Sequence, residues 1–255
     1  MIFDTHAHYD DERFNEDREE LLGSMRNHGV EFIVNIGSEM ETCYDTLDLV
    51  KKYDFMYGAL GIHPDCVYDL TDADYKWIEE HINDDKIVAV GEIGLDYYRE
   101  YDKDVQKEAF VRQMEIARRN NKPIVVHSRD AAQDTYDIMK EYHAEELGGV
   151  VHCFSYPMEM AERFMDMGFY IGIGGVVTFK NSKKLQEVAK AMPLERLVLE
   201  TDCPYLAPDP HRGERNDSSY ISYVADRIAE LRGISTRELV DITTANAKRM
   251  YRIED

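Results

Sequence analysis

The chain of 255 residues is 44% hydrophobic and carries 51 acidic against 30 basic residues, for a formal charge of -21. That apolar content suffices for one large core, and the absence of a Pro/Gly/Ser-rich linker makes residues 1–255 read as a single domain. The charge excludes a broad basic face for duplex DNA, whose affinity comes from Lys and Arg neutralising phosphates; a nucleic-acid partner has to be gripped locally.

The first apolar run, Ile2–His6, predicts a strand and delivers His6 and His8. Their i, i+2 spacing puts both imidazoles on one face of an extended chain, whereas on a helix they would diverge. A helix-like stretch follows over Glu16–His28, then a strand over Glu31–Ile36 and a helix over Glu41–Lys52. Met56–Ile62 is a third strand, followed at once by His63, and Ala73–Asn83 a third helix. Lys86–Ile93 forms a fourth strand whose end carries Glu92 and Asp96, and Asp104–Asn120 a long helix. Pro123–His127 and Gly149–Phe154 are strands five and six, ending on His127 and around His152, with a helix over Ala131–His143 between them. Met158–Met167 is helical, Phe169–Ile173 a seventh strand, Ser182–Met192 helical, and Arg196–Asp202 an eighth strand that closes on Asp202. Two further helices, Ser219–Arg232 and Thr236–Met250, come last.

Eight strands alternating with helices over this length predict an α/β fold, a (β/α)8 TIM barrel with two additional C-terminal helices, rather than an open doubly wound sheet. Near-continuous apolar runs such as Ile87-Val88-Ala89-Val90 suit strands covered on both faces. In a barrel of this kind the active site lies at the C-terminal ends of the strands. His6, His8, His63, Glu92, Asp96, His127, His152 and Asp202 all fall there, and so converge on one mouth.

Such residues are metal ligands by type. Imidazole and carboxylate suit zinc, manganese, iron or magnesium, and a carboxylate can bridge two cations ~3.5–4 Å apart that polarise a phosphoryl or carbonyl oxygen. His6, His8, Glu92, His127, His152 and Asp202 supply the four to six ligands that a pair of divalent ions needs, which predicts hydrolytic chemistry; which metal is native stays open. Other polar features read as structural. His28, His81 and His143 lie near helix C-termini, where a partly charged imidazole suits the dipole. Tyr9-Asp10-Asp11-Glu12 reads as a solvated loop, Glu200 shares the face of Asp202 and can support it, and Gly172-Ile173-Gly174-Gly175 ends a strand in a tight turn without the G-x-G-x-x-G pattern of a nucleotide site. Tyr97, Tyr98, Phe154 and Tyr205 sit near strand ends, open to packing or to base stacking.

Cys43, Cys66, Cys153 and Cys203 show no Cys-x-x-Cys spacing and read as reduced thiols, with Cys153 and Cys203 as small neighbours of the mouth. There is no leader-like N-terminal segment and no run near the ~20 apolar residues of a membrane span, so a cytoplasmic protein without membrane or obligate protein partner is expected.

The motifs Phe3-Asp4-Thr5-His6-Ala7-His8, Gly61-Ile62-His63-Pro64, Gly91-Glu92-Ile93-Gly94-Leu95-Asp96-Tyr97, Pro123-Ile124-Val125-Val126-His127-Ser128-Arg129, His152-Cys153-Phe154-Ser155 and Glu200-Thr201-Asp202-Cys203-Pro204-Tyr205-Leu206 follow one another along nearly the whole chain. In them the sequence resembles the TatD-type metal-dependent hydrolases of the amidohydrolase superfamily. The resemblance implies that His6, His8 and Asp202 hold one metal, His127 and His152 a second, and Glu92 bridges them. It also implies cleavage of DNA phosphodiesters, commonly as a 3′-to-5′ exonuclease on single-stranded or fraying ends, with Glu92 and Asp202 catalytic, Asp202 orienting or deprotonating the attacking water, and His63, Arg212 and Arg215 meeting substrate phosphates. One departure bears on that substrate. Members often read Arg-Gly-Lys-Arg-Asn-Glu-Pro after the last strand, whereas this chain has Arg212-Gly213-Glu214-Arg215-Asn216-Asp217-Ser218, with an acid in place of the Lys. The alternative is therefore an ester or amide hydrolase of the same fold, such as an aminoacyl-tRNA deacylase or a small-molecule amidohydrolase.

Overall fold

The structure, a computed structural model, describes residues 1–254. Its strands are β1 (Ile2–Ala7), β2 (Val30–Ile36), β3 (Met56–Leu60), β4 (Ile87–Asp96), β5 (Ile124–Arg129), β6 (Gly149–Val151), β7 (Tyr170–Ile173) and β8 (Leu197–Leu199). They form one eight-stranded sheet in chain order, every neighbour parallel. Between them run α1 (Arg18–Ser24), α2 (Met40–Lys52), α3 (Asp72–His81), α4 (Lys103–Arg119), α5 (Ala132–Glu141), α6 (Met158–Asp166) and α7 (Lys183–Ala191), and α8 (Ile221–Arg232) and α9 (Thr236–Tyr251) follow β8. This is the TIM barrel that the alternating pattern predicts. Among the described residues no helix is long and apolar enough to cross a membrane.

Two apolar layers hold it. Ile33, Ile62, Phe110, Met114, Ile171 and Ile228 belong to the larger cluster, which joins the strands to the surrounding helices. A smaller cluster, with Phe3, Val34, Val88, Val125, Val150 and Val198 from the starts and middles of the strands, is completed by Ala247, Met250 and Tyr251 of α9. The last helix thus plugs the N-terminal end of the barrel, and the Tyr251 hydroxyl donates to the Thr5 carbonyl at 2.8 Å.

The strands differ from expectation where they end. β4 extends to Asp96 and β5 to Arg129, but β6 stops at Val151 and β8 at Leu199. Beyond those two strands the backbone leaves the extended conformation: Cys153, just after His152, has φ 44°, and Asp202 has φ 57°. A left-handed backbone at a non-glycine residue costs roughly 1–3 kcal/mol and persists only where the surroundings enforce it. Here neighbouring strands enforce it, because the Asp202 N–H donates to the His6 carbonyl at 2.9 Å and the His8 N–H to the Cys203 carbonyl at 2.8 Å. The barrel therefore closes through the segment past β8, where Ala7 and Cys203 form a parallel bridge. The first predicted helix is also shorter: it ends at Ser24, and a 3₁₀ turn over Met25–His28 brings the chain to Gly29 at φ 80°.

The acidic segment after β1 is solvated only in part: Glu12 is exposed, but Tyr9 and Asp10 are anchored. Tyr9 is fully buried, its hydroxyl donating to Ser218 Oγ at 2.9 Å, and Asn35 donates to Asp10 Oδ1 at 2.7 Å. Polar side chains reaching it from β2 and from the segment before α8 hold it in place, contacts that local sequence does not announce.

Candidate metal centre

The closure past β8 sets the centre. Asp4 on β1 is fully buried and accepts from the Thr201 N–H at 3.0 Å, from Thr201 Oγ1 at 2.6 Å and from Ser218 Oγ at 2.6 Å. This clamp fixes the end of β1 against the chain leading to Asp202. The i, i+2 pair then does what its spacing predicts: His6 Nε2 and His8 Nε2 point into the same space, 3.1 Å apart. Asp202 Oδ1 lies 3.7 Å from His6 Nε2 and 3.4 Å from His8 Nε2.

Opposite, His127 Nδ1 and His152 Nε2 approach to 3.2 Å. Glu92 stands between the two groups and divides its oxygens. Oε2 lies 3.3 Å from His6 Nε2 and 3.8 Å from His8 Nε2, while Oε1 lies 2.7 Å from His127 Nδ1 and 2.6 Å from His152 Nε2. His6, His8, Glu92, His127, His152 and Asp202, which belong to five different strands or their continuations, are all brought together.

Supporting contacts orient these rings. His8 Nδ1 lies 2.9 Å from the Ile36 carbonyl, so that nitrogen carries the proton and Nε2 faces the cluster. His127 Nε2 lies 3.2 Å from Asp96 Oδ2, an imidazole–carboxylate contact of the kind that raises ligand basicity. Asp96 is a strand-end acid whose partner the sequence does not reveal. Asp4 and its clamp also escape sequence reading, since Asp4 is one polar residue in an apolar run. Gly94, at φ 143°, has room for no side chain: a Cβ there would sit 2.0 Å from the His127 carbonyl oxygen. Glu200 is buried behind His152 and accepts from the Cys153 N–H at 2.6 Å. Gly172 leaves the space for it, as a Cβ would lie 2.2 Å from Glu200 Oε2; this glycine of β7 serves a close approach, while Gly174 and Gly175 fall in the turn past the strand.

Electrostatics follow from this crowding. Burial would raise the Glu92 carboxyl, but the charge of His152 and hydrogen bonds with His127, His152 and His6 hold it well below the usual range. Burial likewise opposes charge on His8 and His127, yet Asp202 beside the first, and Asp96 and Glu92 beside the second, lift each to about 9. His6, buried and facing His152, is pushed down to about 4, and His63, buried beside His127, to about 3. Cluster protons on His8 and His127 thus offset the carboxylates. A divalent cation can replace such protons, because imidazole ligates when neutral and carboxylate when ionised. The donor set fits divalent metal: His6, His8 and Glu92 present ligand atoms within 4.8 Å of one another, as do His6, His152 and Asp202.

His63 joins the same cluster, with Nε2 3.8 Å from Glu92 Oε1. Its Nδ1 accepts from the Asp65 N–H at 3.1 Å, which leaves the proton of the neutral ring on Nε2. That side of the ring is a donor aimed into the mouth. The two arginines are placed differently from expectation. Arg215 is engaged by Asp17 through two contacts of 2.8 and 2.6 Å and stacks over Phe14. Arg212 stacks over Phe179 at 4.2 Å. Neither lines the cleft of about 1480 Å³ that opens over the cluster. The reason for Arg215 is a carboxylate at the start of α1, nearly two hundred residues away in sequence and invisible to local reading. Of the aromatic residues, Phe154 is buried, whereas Tyr205 and Tyr98 are exposed, and Tyr205 lines the cleft.

Comparison with known proteins places the chain in a family. A family profile described as TatD related DNase matches residues 3–252. A Bacillus subtilis protein described as the uncharacterized metal-dependent hydrolase YabD is 46% identical, over 99% of this chain and 100% of its own. Its Escherichia coli counterpart in description, YcfH, is 37% identical over 100% of this chain and 97% of its own. Among solved structures, the TatD homolog YjjV of Escherichia coli K12 superposes with a TM-score of 0.94 at 30% identity, covering 99% of this chain and 98% of that one.

Proposed function

Since the chain belongs to the TatD-related DNase family and is a metal-dependent hydrolase, we propose that it holds two divalent cations and cleaves phosphodiester bonds, as a 3′-to-5′ exonuclease on single-stranded or fraying DNA ends. The observation that carries the reading is the division of Glu92, with one oxygen turned to His6 and His8 and the other to His127 and His152. In this reading His6, His8 and Asp202 would hold one cation, His127 and His152 the other, and Glu92 would be shared between them. Four imidazoles among the donors favour zinc or iron over manganese or magnesium. When bound, such a pair supplies Lewis acidity to a phosphoryl oxygen and to the attacking water.

The remaining work falls to side chains. The Asp202 side chain is 16% exposed against 4% for Glu92, so Asp202 is the carboxylate that a water entering from the cleft meets. Burial raises its carboxyl, but the His8 hydrogen bond and the nearby imidazoles win and keep it ionised, ready to orient the water and accept its proton. His63 donates from Nε2 to a non-bridging phosphate oxygen, where negative charge grows as the bond to water forms. Asp96 holds His127 in register, and Glu200 backs the turn at Cys153.

One observation favours a second reading, a neutral or singly charged ester or amide substrate: the α1–α2 side of the cleft carries Asp10, Glu16, Glu39, Glu41 and Asp45, which repel a long polyanion. One panel separates the two. Metal-depleted protein reconstituted with zinc, manganese or magnesium is given 5′-labelled single strands, carboxylic esters and amides. The proposal predicts stepwise shortening from the 3′ end; turnover confined to esters or amides contradicts it.

A further inference from the structure

We infer that Arg129 anchors a flanking phosphate of the substrate, one nucleotide away from the bond that is broken; this deepens the phosphodiesterase reading above and rests on it. Four cations line the cleft: Arg18, Lys52, Arg99 and Arg129. Three are engaged. The Arg18 guanidinium donates to the carbonyls of Tyr9, Asp10 and Asp11 and to Asn15 Oδ1. Lys52 pairs with Glu19, and Arg99 lies 3.4 Å from Asp65. Among the described residues Arg129 alone of the four has no carboxylate or carbonyl in hydrogen-bond or ion-pair contact, although its charge is felt at Asp65, and the chain leaves the strand just after it, at Asp130 with φ 53°.

The side chain is nonetheless held. Its guanidinium lies 3.8 Å over the Tyr98 ring. The Tyr98 main chain is fixed in turn, because its N–H donates to Asp96 Oδ1 at 2.8 Å, and the other oxygen of Asp96 contacts His127. The two strand ends are also joined by the Tyr97 N–H, which donates to the Arg129 carbonyl at 2.9 Å. A guanidinium stacked on one ring has one face covered and its N–H edges free, the arrangement that takes phosphate oxygens in pairs. Its position sets which phosphate. Arg129 follows His127 by two residues on β5, so it shares that face and stands about 7 Å further out along the strand. An anion there lies beyond the reacting group, on the side of the next nucleotide. The acidic residues contributed by the α1–α2 side line the same cleft, so the field they make with Arg129 favours a phosphate chain on the β4–β5 rim.

The test uses metal-loaded wild type, Arg129→Ala and Arg129→Lys with two substrates: bis(p-nitrophenyl) phosphate, which has no flanking phosphate, and dithymidylate phosphorylated at both ends. Calorimetry in parallel compares thymidine 3′,5′-bisphosphate with thymidine 5′-monophosphate. The anchor predicts that Arg129→Ala lowers the ratio of kcat/KM for dithymidylate over the nitrophenyl ester roughly ten- to a hundredfold, the size of a charge-assisted hydrogen-bond pair. The loss falls mainly on KM, the wild-type preference for the bisphosphate disappears, and Arg129→Lys recovers part of both. An unchanged ratio and preference in Arg129→Ala, with wild type cleaving both substrates, overturns the anchor and leaves the phosphodiesterase reading standing. Failure of metal-loaded wild type to cleave either substrate overturns that reading, and the anchor with it.

Discussion

The backbone N–H of Asp202 donates to the carbonyl oxygen of His6 at 2.9 Å. Two residues far apart in the chain, each with a side chain in the same cluster, are thereby tied through their main chains. The bond sits where the barrel closes, so the closure and the centre are one piece of structure. Asp4 secures it by accepting from Thr201 and Ser218.

Asp4→Ala is accordingly expected to lower the unfolding free energy by roughly 2–4 kcal/mol, because it strands buried donors with no replacement acceptor. Urea denaturation measures this, and zinc affinity should fall in the same variant as His6 and Asp202 drift apart. Wild-type stability in Asp4→Ala would show that the clamp is not what closes the barrel.

Asp96→Asn tests how His127 is supported. The amide keeps an oxygen for the Tyr98 N–H but loses the charge facing His127 Nε2, so metal affinity is expected to drop ~10–100-fold with the fold retained. Chelator competition reads the change. Glu92→Gln is expected to do more, reducing the metal bound per chain, measured by elemental analysis, as well as abolishing turnover.

Gly172→Ala inserts a methyl group 2.2 Å from Glu200 Oε2. Because Glu200 is buried and bound to the Cys153 N–H, it has little room to retreat, and a destabilisation of about 1–3 kcal/mol is expected. A thermal melt decides. An unchanged melting temperature would mean that Glu200 relocates freely.

Cys66 offers a pH test on a cleft residue outside the proposed ligand set. Of the free thiols, Cys43 and Cys203 are buried and Cys66 is exposed on the cleft. Partial burial, with Glu39 and Asp65 nearby, pushes the Cys66 thiol up to about 11. Because the thiolate is the reactive form and a raised pKa makes it scarcer, iodoacetamide labelling should be slow at neutral pH and rise about tenfold per pH unit up to pH 10. Mass spectrometry follows the modification. A rate that levels off near pH 9, the ordinary thiol range, would contradict the stated surroundings.

Much of this architecture is legible in the sequence because its signals are local. β-branched runs of the right length mark the strands, and a polar residue at the end of an apolar run marks the mouth; His6 and His8 announce their shared face by spacing alone. What escapes depends on partners remote in the chain. Arg215 looks like a phosphate contact until Asp17 takes its guanidinium, and Tyr9 and Asp10 look solvated until Ser218 and Asn35 reach them. The early ends of β6 and β8 were hidden for a related reason. His152 and Asp202 continue apolar runs, and only the left-handed turns at Cys153 and Asp202 show that the chain has already bent.

Anomalous diffraction from crystals of the metal-loaded protein, recorded at the absorption edge of the added metal, tests the central claim most directly. The account predicts two peaks on either side of the Glu92 carboxylate, one within ligand distance of His6, His8 and Asp202 and the other of His127 and His152. A single peak remote from Glu92, or none in this cluster, would contradict it.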